Sequence, residues 1–531
     1  MSSDLVIVGG SVVDGTGQPP YRTDLSICNG KIADIGLIGG IEGVPTLDAD
    51  GLVVSPGFID IHSHSDFTLV VDPRAVSAIA QGVTLEVVGN CGHGCAPLAA
   101  PSLAKANLYG YQPSYDFKWK TVGEYLDHLE SRRPAINVAA LVPNGCLRLC
   151  VAGLVNRPSN PDELGQMKRI LEQSLQDGAF GYSTGLEYGI EKDCSEEEIV
   201  ELCGITRRAG RFYATHARNR KGEAEESIAE AVRAAAASGV SVQISHISSV
   251  ARLASSSRWA IEQALEQVDG ARQRGLDVGF DMHTRRFGTT NLSAALPPWA
   301  LEGGKSAIAK RLTDPITRKE MKTFPNIVAA LACGDWQKIV VYKSKIQPEI
   351  SGQSIAAISE KRGSEAYDTI YDLLLAEIDD LHSLMILGFA YSPQDLDLIL
   401  ERPDCMIGSD AIALATDGPL RDESFHGAYS WAPWFLRYFV REKRTLNLEE
   451  AIRRLTSLPA SRIGIKDRGV IRIGAWADLA VFDPVTFREK ATTFEPNQLA
   501  IGMRHVLING VVTLRNGERT GKHGGHALRA S

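Results

Sequence analysis

The sequence predicts an α/β protein, a (β/α)8 TIM-like barrel with a small discontinuous β-domain built from its N- and C-terminal segments. Three observations predict it. The middle of the chain alternates short apolar strands with amphipathic helices, a pattern that leads to a parallel sheet. Its strands number eight, and eight parallel strands each followed by a helix close most economically as a barrel. The two ends of the chain share a pattern absent from the middle, an Asn-Gly pair between apolar runs.

Taken in order, residues 1–55 read as β-structure. Leu25–Cys28 and Lys31–Ala33 flank Asn29-Gly30, a hairpin signal because both turn positions need positive φ. Eight barrel strands follow, at Gly57–Ile61, Thr84–Val88, Asn137–Leu141, Ala179–Ser183, Phe212–Thr215, Val240–Ser245, Asp277–Asp281 and Asp404–Gly408. Ser195-x-x-Glu198 and Asn447-x-x-Glu450 open helices as capping pairs, and Gly239 closes one after Ala234–Ala237. The stretch 285–400 exceeds one βα unit. It is expected to form an excursion that covers the barrel mouth, beginning with the turn Leu296-Pro297-Pro298-Trp299. The barrel is thus expected over 56–462. Residues 463–531 return to β-structure, with Ala477–Phe482 as a strand and Val506–Ile508 and Val511–Leu514 around Asn509-Gly510.

Composition narrows the class. A chain of 531 residues, 44% hydrophobic and 23% charged, suits a globular enzyme. A net charge of -8, with both signs interspersed, argues against a nucleic-acid or anionic-membrane surface. No apolar run approaches the length of a transmembrane helix, and the start carries no basic n-region, so a cytoplasmic location is expected. The nine cysteines are expected as reduced thiols, which makes any special cysteine a ligand candidate. The partner expected is a small molecule; oligomeric state leaves no mark in the sequence.

The barrel supplies a test, because functional groups should fall just past strand ends. His62-Ser63-His64 follows the first strand, Cys91 the second, His216 the fifth, His246 the sixth and Asp410 the eighth. All are donors suited to zinc. The two histidines of His62-x-His64 point to one side of an extended segment, where they can chelate one ion. His128, His382, His505, His523 and His526 lie at no strand end and read as ordinary histidines, while His93 and Cys95 read as shaping the loop behind Cys91.

Pro56–Asp66, with its Asp60-Ile61-His62-Ser63-His64 core, resembles the opening motif of the amidohydrolase superfamily. Gly89-Asn90-Cys91-Gly92, Ser183–Tyr188, Thr215–Arg218, Gln243–His246, Gly408-Ser409-Asp410, Leu455–Ala460 and Ala477–Pro484 together resemble the N-acyl-D-amino-acid deacylases, or D-aminoacylases, over nearly the whole chain. The resemblance implies one tightly held zinc on Cys91, His216 and His246. It also implies a weaker site on His62, His64 and Asp410, with the Cys91 thiolate able to bridge. It implies hydrolysis of a linear amide, with Asp410 as the general base and Tyr188 matching a family tyrosine that helps hold the developing oxyanion.

The chain departs from the family around the substrate. Where the family reads Ser-His-Leu-Lys, this chain has Ser245-His246-Ile247-Ser248, and a lysine that helps hold the substrate carboxylate is missing. Where the family reads Asp-x-Tyr-Pro-Tyr, it has Asp281-Met282-His283-Thr284-Arg285-Arg286. His283 and Ser248 are therefore expected at the substrate, and Arg285 or Arg286, with Arg285 favoured, is expected to restore a carboxylate clamp through paired hydrogen bonds. Two other readings stand beside this one. A cyclic-amide hydrolase of dihydroorotase or hydantoinase type would bridge two metals with a fourth-strand lysine, which Gly178–Tyr188 lacks. A non-catalytic scaffold of the same fold would tend to lose ligands, and all six are present.

Overall fold

The computed structural model describes residues 3–98, 101–104, 107–112, 114–155, 157–218, 224–247 and 257–531. Eight strands form one all-parallel sheet in chain order: β1 (Phe58–Asp60), β2 (Val83–Val88), β3 (Asn137–Pro143), β4 (Gly181–Gly185), β5 (Phe212–His216), β6 (Ser241–Ile244), β7 (Val278–His283) and β8 (Cys405–Gly408). The first and last strands meet only past their C-terminal ends. There Ser63 bridges Ala411, His64 N donates to Ala411 O at 2.8 Å and Asp410 N to His62 O at 2.8 Å. The seam that closes the barrel therefore lies at its mouth.

Ile59, Leu85, Val87, Leu141, Phe212 and Met406 pack inside the barrel, so it is a filled core and not a pore. The predicted helix starts hold: Ser195 Oγ accepts from Glu198 N at 3.1 Å and Asn447 Oδ1 from Glu450 N at 3.0 Å. The fourth strand begins two residues later than predicted. Gly178 N and Ala179 N still donate back to Leu175 O and Ser174 O of the preceding helix, so they are not free to pair sideways.

The N- and C-terminal segments share a second sheet. Val53–Pro56 pairs in parallel with Leu5–Val12 on one side and antiparallel with Leu479–Phe482 on the other. Both Asn-Gly pairs adopt the expected left-handed turn, with φ of 50° and 76° at Asn29-Gly30 and 49° and 77° at Asn509-Gly510. The two turns abut, and a Cβ on Gly510 would lie 2.6 Å from Gly30 Cα.

The excursion begins earlier than the Leu296–Trp299 turn. Its first element is the strand Phe287–Asn291, which pairs antiparallel with Met385–Phe389; Ile339–Lys343 pairs on that strand's other edge. The expected turn links two short 3-10 helices, Leu292–Ala295 and Pro298–Leu301, and its last two residues open the second. Leu312, Val328, Ile339, Ile355, Ile370 and Leu374 give this unit a core of its own.

Candidate metal centre

At three of the five strand ends that carry a donor, the donor itself sits in left-handed backbone. Cys91, His246 and Asp410 have φ of 54°, 29° and 45°, a region that side-chain-bearing residues rarely adopt. Strain of this kind collects at functional sites, where the surrounding structure imposes it. Here hydrogen bonds impose it directly: His246 N is held by Asp281 Oδ1 at 3.0 Å, and Asp410 N by His62 O.

The six predicted donors converge. Three overlapping groups, His62–His64–Cys91, Cys91–His216–His246 and His62–His246–Asp410, each bring their ligand atoms within 4.8 Å of one another. Cys91 Sγ lies 3.1 Å from His62 Nε2 and 3.6 Å from His246 Nε2, and His216 Nδ1 lies 2.9 Å from His246 Nε2. Tetrahedral zinc at ordinary bond lengths would separate its ligands by about 3.3 Å for N–N and about 3.5 Å for N–S. The observed edges lie within about half an ångström of those values, and the nitrogen–sulfur–carboxylate donor set is one zinc accepts. The residues fit the ion.

Two carboxylates orient the imidazoles from behind. His62 Nδ1 donates to Asp281 Oδ1 at 3.0 Å, which leaves Nε2 free to face the site. His216 Nε2 lies 3.2 Å from Glu187 Oε2, which fixes Nδ1 as the inward atom. Burial opposes ionisation of Cys91. The charge on His62 and hydrogen bonds from His216, His246 and His62 outweigh it and hold the thiol well below its ordinary value. Asp410 is likewise held low against burial, by the His64 hydrogen bond and by the charges of His62, Arg285 and His246. Its Oδ1 lies 3.2 Å from His64 Nε2 and 3.6 Å from His62 Nε2.

A cavity of about 490 Å³ opens over the donors. His216, His246, His283, Arg285, Asp410 and Tyr188 line its floor, and the excursion closes it with Thr289, Asn291, Leu296, Phe324, Ile327 and Leu331. The excursion therefore covers the barrel mouth as expected. Tyr188 Oη lies 3.4 Å from His216 Nδ1, with its ring 4.2 Å from that of His93. His283 is buried, and burial together with the Arg285 charge keeps its imidazole neutral.

The predicted substrate cations sit differently. Arg285 borders the cavity but donates through Nη1 to Ser409 O and His426 O at 2.5 and 2.7 Å, and through Nη2 to Asp410 O and Oδ2 at 2.9 and 3.0 Å. Four of its five N–H groups are thereby committed, so it anchors the Asp410 loop instead of standing open as a clamp. Arg286 is not among the residues lining the cavity; its guanidinium lies over Phe389 and donates to Tyr391 O at 3.4 Å. Ser248 lies outside the described residues. Sequence reading missed Glu187, Asp281 and Tyr109, which also lines the cavity. Position gave the only signal: Glu187 precedes Tyr188 past β4, and Asp281 lies within β7.

Comparisons with known proteins point the same way. The amidohydrolase family model matches residues 46–316 and 406–514. An N-acyl-D-glutamate deacylase of Alcaligenes xylosoxydans xylosoxydans is 31% identical, over 96% of this chain and 93% of its own. The crystal structure of an N-acyl-D-glutamate deacylase from Bordetella bronchiseptica superposes with a TM-score of 0.80 at 29% identity, with both chains fully covered. It holds zinc and a phosphonate that mimics the tetrahedral intermediate of its reaction. A D-aminoacylase with a binuclear metal centre, in which one metal activates and a second attenuates, superposes at 0.81 with 28% identity, covering 99% of this chain and 100% of its own.

Proposed function

The chain belongs to the amidohydrolase family, and from that premise we propose that it is a zinc-dependent deacylase of N-acyl-D-amino acids or closely related N-acyl compounds. One observation carries the proposal: six metal donors converge at a single barrel mouth, beneath a cavity large enough for a small amide. In this reading Cys91, His216 and His246 hold the tight zinc, and His62, His64 and Asp410 a weaker one. Zinc, when bound, polarises the scissile carbonyl and raises the acidity of the attacking water.

The chain's own residues do the rest. Asp410 receives the proton of the attacking water and delivers it to the leaving nitrogen, a two-way role open to a carboxylate at the cavity floor. Arg285 fixes the Asp410 carboxylate from the side away from His62 and His64. Tyr188 extends its phenol beside His216, where it can donate to the oxygen that gains charge. The excursion covers the cavity, so a bound substrate would displace water from it and strengthen each of these interactions.

The test is a substrate panel. Zinc-loaded protein is expected to release free amine from N-acetyl-D-amino acids and to leave L-isomers and cyclic amides largely intact. Hydrolysis confined to hydantoins or dihydropyrimidines would replace this reading with the cyclic-amide one, and zinc-loaded protein inert to every amide would leave only the scaffold.

A further inference from the structure

We propose that Lys192 determines specificity by holding the carboxylate of the substrate, and that the preferred substrate bears this one negative charge on an otherwise apolar body. The proposal rests on the deacylase reading and names its substrate class.

Among the described residues lining the cavity, the lysine and arginine side chains are Lys192 and Arg285. Arg285 is committed to Asp410, Ser409 and His426. Lys192 is half-buried, and its ammonium makes no ion pair or hydrogen bond among the described residues. Its backbone, by contrast, is fixed on both sides. Lys192 N donates to Tyr188 O at 2.8 Å, and its carbonyl accepts from Arg218, which Glu230 and Cys194 O hold in turn. That Lys192-to-Tyr188 bond closes one helical turn, and residues four apart on such a turn present their side chains to one side. Both side chains line the same cavity, so a cation with no ion pair among the described residues shares it with the phenol assigned to the reacting carbonyl. In an N-acyl α-amino acid the carboxylate carbon is likewise only three bonds from the scissile carbonyl carbon, through the nitrogen and Cα, so side chains close to one another can read the two groups.

The part of the lining that the excursion supplies has the complementary character. Among the described lining residues of the excursion, Leu296, Leu301, Phe324, Ile327 and Leu331 are apolar and Thr289, Asn291 and Asn326 offer neutral groups, so a second carboxylate there would lose hydration without meeting an opposite charge. An N-acyl derivative of an apolar amino acid therefore suits the cavity better than one of glutamate or aspartate.

The experiment uses the zinc-loaded full chain with three substrates: N-acetyl-D-leucine, its carboxamide and N-acetyl-D-glutamate. Wild type is expected to favour N-acetyl-D-leucine over N-acetyl-D-glutamate. Lys192→Met should lower kcat/KM for N-acetyl-D-leucine by about 10²-fold, chiefly through KM, and Lys192→Arg should recover part of that loss. The carboxamide should be cleaved nearly as well by Lys192→Met as by wild type, with zinc content unchanged. A merely structural role for Lys192 would slow both leucine substrates alike, and that result overturns the proposal, as does an unchanged ratio or a preference for glutamate. Wild type that cleaves no N-acyl-D-amino acid would instead remove the deacylase reading, and this inference with it.

Discussion

Three of the six donors sit in left-handed backbone, and this separates two substitutions that would otherwise look alike. Asparagine tolerates that conformation better than most residues, so Asp410→Asn keeps the shape of the loop while removing the base. Turnover is expected to fall by about 10²–10⁴-fold, with far-ultraviolet circular dichroism and the zinc on Cys91 retained; near-normal activity would place the base elsewhere. Cys91→Ala keeps the same backbone strain without the ligand, so most of the tightly bound zinc should be gone after purification. Full occupancy by elemental analysis would remove Cys91 from the site. The donors were legible in the sequence because each stands where an apolar strand gives way to a polar residue. Arg285 was not legible in this way. Its acceptors Ser409 O and His426 O are backbone atoms 124 and 141 residues away, and no side-chain pattern announces them. Lys192 stands in a loop that follows β4 without any motif; its place in the cavity lining, with no ion pair among the described residues, singles it out.

At the level of elements, the Asn-Gly turns were read correctly as hairpins, but their mutual contact was invisible because it joins opposite ends of the chain. That contact gives a clean comparison. Gly510 and Gly521 have nearly the same φ, 77° and 76°, yet a Cβ on Gly521 meets nothing within 4 Å whereas one on Gly510 meets Gly30 Cα. Gly521→Ala should cost about 1–2 kcal/mol for the left-handed backbone alone. Gly510→Ala carries the same cost plus the clash, so its melting temperature by calorimetry should fall clearly further. Equal shifts would mean that the two turns do not press together. The excursion was foreseen as a cover but not as a sheet-bearing unit. Its strands Phe287–Asn291 and Met385–Phe389 are short and lie about a hundred residues apart, so period-two alternation had too little length to register.

For the molecule as a whole, the barrel was legible because eight strand–helix units repeat one physical pattern, and the shared terminal sheet because two distant segments carried the same turn chemistry. The seam at the mouth was not. It depends on Ser63 and Ala411, residues of no special type, meeting where the first and last strands return to one another. The other long-range junction, Val53–Pro56 against Leu479–Phe482, has a consequence in time. Ser55 Oγ bonds to Ala480 O across 425 positions. At roughly 5–20 residues per second of synthesis, the edge of Val53–Pro56 emerges on the order of half a minute before its partner exists. During that interval it is an open strand edge, able to pair with whatever nascent chain lies beside it on the polysome. Slower translation of the barrel-coding region would lengthen the wait, so the yield of folded protein becomes a matter of ribosome tempo as well as of sequence.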